Sequence, residues 1–76
     1  MTEPVSLSVP LAVSVNGEAV AVAPGTTLET LVASLTGAPS GVAAALNETV
    51  VPRGRWPAAT LAEGDRVEVL TAVQGG

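Results

Sequence analysis

The chain has no cysteine, no histidine and no lysine, and its one aromatic residue is Trp56. Without cysteine there can be no disulfide, thiolate metal site or thiol nucleophile. Without histidine it lacks the usual general base at neutral pH and the commonest metal ligand. A self-contained enzyme is therefore not expected, nor a bound metal. Positive charge is equally scarce: Arg53, Arg55 and Arg66 stand against Glu3, Glu18, Glu29, Glu48, Glu63, Asp65 and Glu68, for a net charge of -4. Binding phosphates takes clustered cations, so nucleic acid and anionic membrane are not expected partners. Proteins with basic docking surfaces suit the charge better. No apolar run approaches the roughly 18 residues of a membrane span. The N-terminus lacks the basic start and apolar block of a secretory signal, and a cytoplasmic location is expected.

What is present is a small-residue core. Apolar residues make up 47% of the 76, mostly Ala and Val with eight Leu. At this length one domain is expected, burying roughly 60% of the surface its unfolded chain exposes. Small and β-branched side chains suit a sheet covered by one helix. Residues 1–10, "MTEPVSLSVP", carry prolines at positions 4 and 10 and read as a loose extension. Then "LAVSVNGEAVAV" holds two alternating runs, Leu11–Val15 and Glu18–Val22, around Asn16 and Gly17. Asn-Gly favours positive φ at both positions, as a type I′ hairpin requires. Leu11, Val13, Val15, Val20 and Val22 are expected on the core face.

Pro24-Gly25 breaks the pattern, and Thr26 stands three residues before Glu29 in capping-box spacing, so a helix is predicted to start there. Leu28, Leu31, Val32 and Leu35 form one helical stripe, with Glu29, Thr30 and Ser34 facing water. Gly37 is placed to end the helix and Pro39 to prevent its resumption. Next come a strand over Val42–Leu46, a turn at Asn47 and Glu48, and a short return strand ending at Pro52. Proline cannot donate to a ladder, which puts Val50 and Val51 at a sheet edge. In "VVPRGRW", Pro52 and Gly54 shape an edge loop and Trp56 is expected to cover the core. "PAATLAEGD" reads as a connection whose Gly64-Asp65 turn introduces the last strand. There Val67, Val69, Thr71 and Val73 alternate with Arg66, Glu68, Leu70 and Ala72. Glu63, Asp65 and Glu68 are read as a solvated turn and strand face rather than a docking patch. The last strand is expected inside the sheet, with Gln74, Gly75 and Gly76 projecting from it.

The order strand, strand, helix, strand, strand, strand, with "VNGE", "GTTLETLV", "ALNETVVPRGRW", "LAEGDRVEVLTAV" and terminal "QGG", resembles the sulfur carriers of thiamine biosynthesis. That family lies within the ubiquitin-like β-grasp fold. The resemblance covers nearly everything after the extension. It implies an α+β domain over residues 11–73, a mixed sheet of four to five strands on one main helix, and a flexible tail over residues 74–76. It also implies that Gly76 is adenylated by an adenylyltransferase related to ubiquitin-activating enzymes. The terminus is then converted to a thiocarboxylate that gives its sulfur to thiazole synthase. Val73, Gln74 and Gly75 would accompany Gly76 into the partner sites. A sulfur-donor system is implied, and ATP is used by the partner, with no cofactor bound to the carrier. Carriers for molybdopterin or cysteine, and ubiquitin-like protein modifiers, share the terminal Gly-Gly and remain alternatives. The extension of residues 1–10 departs from the shorter family form.

The residues alone support the same chemistry. A terminal carboxylate, with an ordinary pKa of about 3.5, is an anion at neutral pH and can attack the α-phosphate of ATP. Glycine, lacking Cβ, passes where other residues would clash.

Overall fold

The two strands expected around Asn16-Gly17 form, and Asn16 (φ 51°) and Gly17 (φ 89°) both take the left-handed conformation the tight turn demands. In this computed structural model, residues 9–36 and 41–71 are described. Strand β1 (Leu11–Val15) pairs antiparallel with β2 (Glu18–Val22), Leu11 opposite Val22 and Val15 opposite Glu18. Helix α1 (Leu28–Leu35) follows, then β3 (Val42–Leu46), β4 (Thr49–Val51), a 3-10 helix (Arg53–Ala58) and β5 (Arg66–Thr71). The sheet order is β2-β1-β5-β3-β4. Last in the chain, β5 is central in the sheet, parallel to β1 and antiparallel to β3. β4 is an edge strand, as Pro52 requires.

Strand register divides the side chains between two faces. Val13, Val15, Ala44 and Val67 point under the helix and join Leu28, Leu31, Val32, Trp56 and Leu61 in one buried cluster. Val20, Val22, Val42, Leu46, Val51 and Val69 pack against it, half-buried. Leu11 is half-buried at the start of its strand.

Three expectations need correction. The helix cap is Thr27, not Thr26: Thr30 donates its N–H to Thr27 Oγ1 at 3.2 Å. Thr26 is already committed to the preceding turn, where its N–H and its Oγ1 both donate to the Ala23 carbonyl, at 3.1 and 2.6 Å. With the cap one residue later, Thr30 rather than Glu29 takes the third helical position, and its hydroxyl lies 3.2 Å from that of Thr27. Second, Leu35 is 49% exposed. It is the last helical residue, about 10 Å along the axis from Leu28, past the buried turns. Third, the stretch from Arg53 is more than an edge loop and connection. It forms the 3-10 helix, then Ala59 accepts from Leu28 N–H at 2.8 Å and Leu61 N–H donates to Thr26 at 2.9 Å. A bridge between Thr27 and Thr60 joins the same segments.

The helix closes at Thr36, whose backbone is extended (φ -146°, ψ 140°) and whose N–H donates to Val32 at 3.1 Å. The extension's first eight residues, the stop signals Gly37 and Pro39, and residues 72–76 lie outside the described residues. Among the described residues no helix is long and apolar enough to cross a membrane.

Candidate functional site

Val73, Gln74, Gly75 and Gly76 follow β5 and lie outside the described residues, so the site is built from the strand that carries them. β5 alternates as the valines predict: Val67 is buried and Val69 half-buried, while Arg66, Glu68 and Leu70 are exposed. Thr71 is exposed too, opposite Val42 of β3.

Two turn asparagines grip this strand near its opposite ends. Backbone pairing with β1 runs through Ser14 opposite Arg66 and Val15 opposite Val67, then Asn16 N–H donates to the Val67 carbonyl at 2.8 Å. If the parallel ladder continued, Val69 N–H would reach the main-chain carbonyl of residue 16. The chain turns there, and the Asn16 side chain takes over. Oδ1 accepts from Val69 N–H at 2.8 Å, and Nδ2 donates to the Val69 carbonyl at 3.3 Å. Asn47, also left-handed (φ 51°), does the equivalent at the strand's start. Its Oδ1 accepts from Arg66 N–H at 2.9 Å, and its N–H donates to the Arg66 carbonyl at 2.7 Å. Both asparagines were legible as turn residues. Their reach to β5, 53 and 19 positions away, has no local sequence signal.

The approach to β5 is stitched as firmly. Glu63 Oε1 accepts from Ala12 N–H at 2.9 Å, and Gly64 N–H donates to the Ala12 carbonyl at 2.7 Å. Asp65 Oδ2 accepts from Ala62 N–H at 2.7 Å, and its Oδ1 accepts from Asn47 Nδ2 at 3.0 Å. Glu63 and Asp65 are thus structural acceptors holding the turn, not merely solvated charges. Glu68 is exposed, as expected. Arg66 lies 3.2 Å from Glu48 in an exposed ion pair, an arrangement that contributes little to stability.

Trp56 sits under the sheet, 3% exposed, with Nε1 donating to the Val51 carbonyl at 2.8 Å. The Arg53 guanidinium lies 5.1 Å from its ring centre. This fits the expected core role and fastens the edge strand to the 3-10 helix. On the helix-free face, Ala43, Ala45, Val50, Glu68 and Leu70 line a groove of about 540 Å³ beside β5.

A mixed five-stranded sheet with the final strand central and one helix across a single face defines the ubiquitin-like β-grasp class. The thiamine biosynthesis protein ThiS from Geobacter metallireducens has this architecture. It superposes with a TM-score of 0.72 at 32% identity, covering 87% of this chain and 100% of that one. The sequence model of the ThiS family matches residues 11–76. The sulfur carrier protein ThiS of Escherichia coli is 31% identical over 61 residues, 80% of this chain and 92% of the carrier. A thiazole synthase from Magnetococcus marinus is 42% identical over 64 residues, covering 84% of this chain. The chain spans only 20% of that synthase's length. The chain belongs to the ThiS family of thiamine sulfur carriers.

Proposed function

We propose that this chain carries sulfur as a C-terminal thiocarboxylate on Gly76 and delivers it for thiazole formation. A carboxylate oxygen of Gly76 attacks the α-phosphorus of ATP, and pyrophosphate leaves. The resulting acyl-adenylate is a mixed anhydride. A sulfur nucleophile then adds at the acyl carbon and AMP departs, leaving sulfur on the chain end. The only sulfur in the chain is that of Met1, so the transferred sulfur is imported. Nucleotide, magnesium and sulfur donor belong to partner proteins: an adenylyltransferase related to ubiquitin-activating enzymes and a sulfur-donor system. Val73, Gln74 and Gly75 accompany Gly76 into the partner sites, where the two glycines leave room for close walls.

The observation that carries this reading is the family match extending through Gly75 and Gly76, a few residues past a strand that is central in the sheet. A terminus launched from a strand held on both sides is presented from a fixed base. Thiazole synthase as acceptor is supported by the Magnetococcus relative, in which a segment similar to this chain is part of a protein of that name.

Intact mass spectrometry after incubation with ATP, a ThiS-type adenylyltransferase and a sulfide source tests the reading directly. The expected product has one oxygen replaced by sulfur, and an unchanged mass would overturn it. A Gly76→Val variant should lose adenylation with an unaltered circular dichroism spectrum. Its normal adenylation would refute the close-walled channel. Isopeptide conjugates in lysate would instead favour a protein modifier.

A further inference from the structure

We infer that Asn16 is a positioning residue for the transfer reaction: its side chain extends the grip on β5 toward the terminus and fixes the base from which residues 72–76 depart. The inference rests on the proposed role of Gly76. Its geometric basis is independent of that role.

Backbone pairing with β1 reaches no further along β5 than the Val67 carbonyl. On the other side, β3 pairs with β5 as far as Thr71. Without Asn16, everything past Val67 would be held by β3 alone, and the strand could twist and fray as an edge strand does. The Asn16 amide is a planar donor and acceptor pair, so it acts as one added peptide group, meeting both the N–H and the carbonyl of Val69. Two-sided support thereby moves two residues closer to the terminus. The left-handed conformation at φ 51° makes the reach compatible with the hairpin turn. Asparagine is the ordinary residue that tolerates this φ while offering both hydrogen-bonding atoms.

A preorganised base lowers the ordering cost of docking, in ground and transition states alike. Losing it should raise KM and leave kcat nearly unchanged. Asn47 supplies a matched control, because it grips β5 from a turn with the same φ but at Arg66, the end remote from the terminus.

The test compares Asn16→Gly, which keeps a turn-compatible residue and deletes the grip, with Asn47→Gly and with Asn16→Asp, which retains only the acceptor. For Asn16→Gly, KM for the carrier in the adenylation reaction should rise about three- to tenfold, the range for one or two lost hydrogen bonds. kcat should stay within about twofold, and the Val69 amide should lose hydrogen-exchange protection. Asn16→Asp should fall between it and the wild type. Asn47→Gly should lower the melting temperature comparably and leave KM unchanged. An unchanged KM in Asn16→Gly, or equal KM increases in the two glycine variants, would overturn the inference while the wild type still accepts sulfur. A wild-type chain that accepts no sulfur would overturn the functional reading, and this inference with it.

Discussion

The two faces of the sheet are made of nearly the same residues and meet different fates. Under the helix, Val13, Val15, Ala44 and Val67 are almost fully buried. On the other face, Ala43, Ala45, Val50 and Leu70 are equally apolar, yet Val50 and Leu70 are 71% and 73% exposed. Burial here is decided by which face the helix and Trp56 cover, more than by composition. The covered face owes its stability to packing. The open face owes its order to the backbone ladder and to turn contacts such as those of Asn16 and Asn47.

The sharpest break of that contrast is Trp56→Ala. Truncating a buried aromatic typically costs about 3–5 kcal/mol, and here it also strands the Val51 carbonyl that Nε1 satisfies. A domain of this length holds only roughly 4–11 kcal/mol in total. Chemical denaturation should therefore show a chain near the edge of folding, and a wild-type-like midpoint would show that the tryptophan is not what closes the core. Leu28→Ala comes next. Leu28 is 0% exposed, and the loss expected for such a site is about 2–5 kcal/mol, read from the same denaturation curves.

Which parts of this contrast could be read in the sequence follows from residue size and range. In β5 the alternation of Val67 and Val69 with Arg66 and Glu68 announces the buried face, and the structure agrees. In β3, "VAAAL", both faces carry alanine, so nothing in the pattern distinguishes Ala44, 2% exposed, from Ala43 and Ala45. The hairpin turn was legible because Asn-Gly is a local signal. The Thr27 cap was not, because it depends on Thr26 closing the preceding turn and on bonds from residues 59–61. The same limit applies to the site. Gly75 and Gly76, which the proposed function needs, are readable in the sequence, whereas the grip of Asn16 on Val69 and the hold of Glu63 on Ala12 exist only after distant segments meet.

A smaller effect tests whether the open side is governed by turn chemistry. Asn47-Glu48 makes the same kind of left-handed turn as Asn16-Gly17, but Glu48 holds φ 72° with a full side chain. A non-glycine residue in that region carries about 1–2 kcal/mol of strain, partly offset in any glycine variant by a more flexible unfolded chain. The ion pair with Arg66 that would be lost is well exposed and contributes little. Glu48→Gly should then raise stability by about 0.5 kcal/mol, a gain of about 2–4 °C in melting temperature. A lower melting temperature would mean that the Glu48 side chain stabilises the turn by more than the strain it imposes.

The smallest effect is the most discriminating. Leu70 is an apolar side chain in the central strand, so residue type and sheet position alone would place it among the costly sites. It is 73% exposed, opposite Ala43 on the open face. Replacing it by threonine introduces a β-branched residue suited to a strand and removes apolar surface that water already reaches. Surface substitutions of this kind usually fall within about 0.5 kcal/mol of the parent. If Leu70→Thr unfolds within that margin while Leu28→Ala loses several times as much, coverage by the helix governs the energetics. A Leu70→Thr loss approaching that of Leu28→Ala would show that the open face is packed in solution, and the distinction between the two faces would disappear.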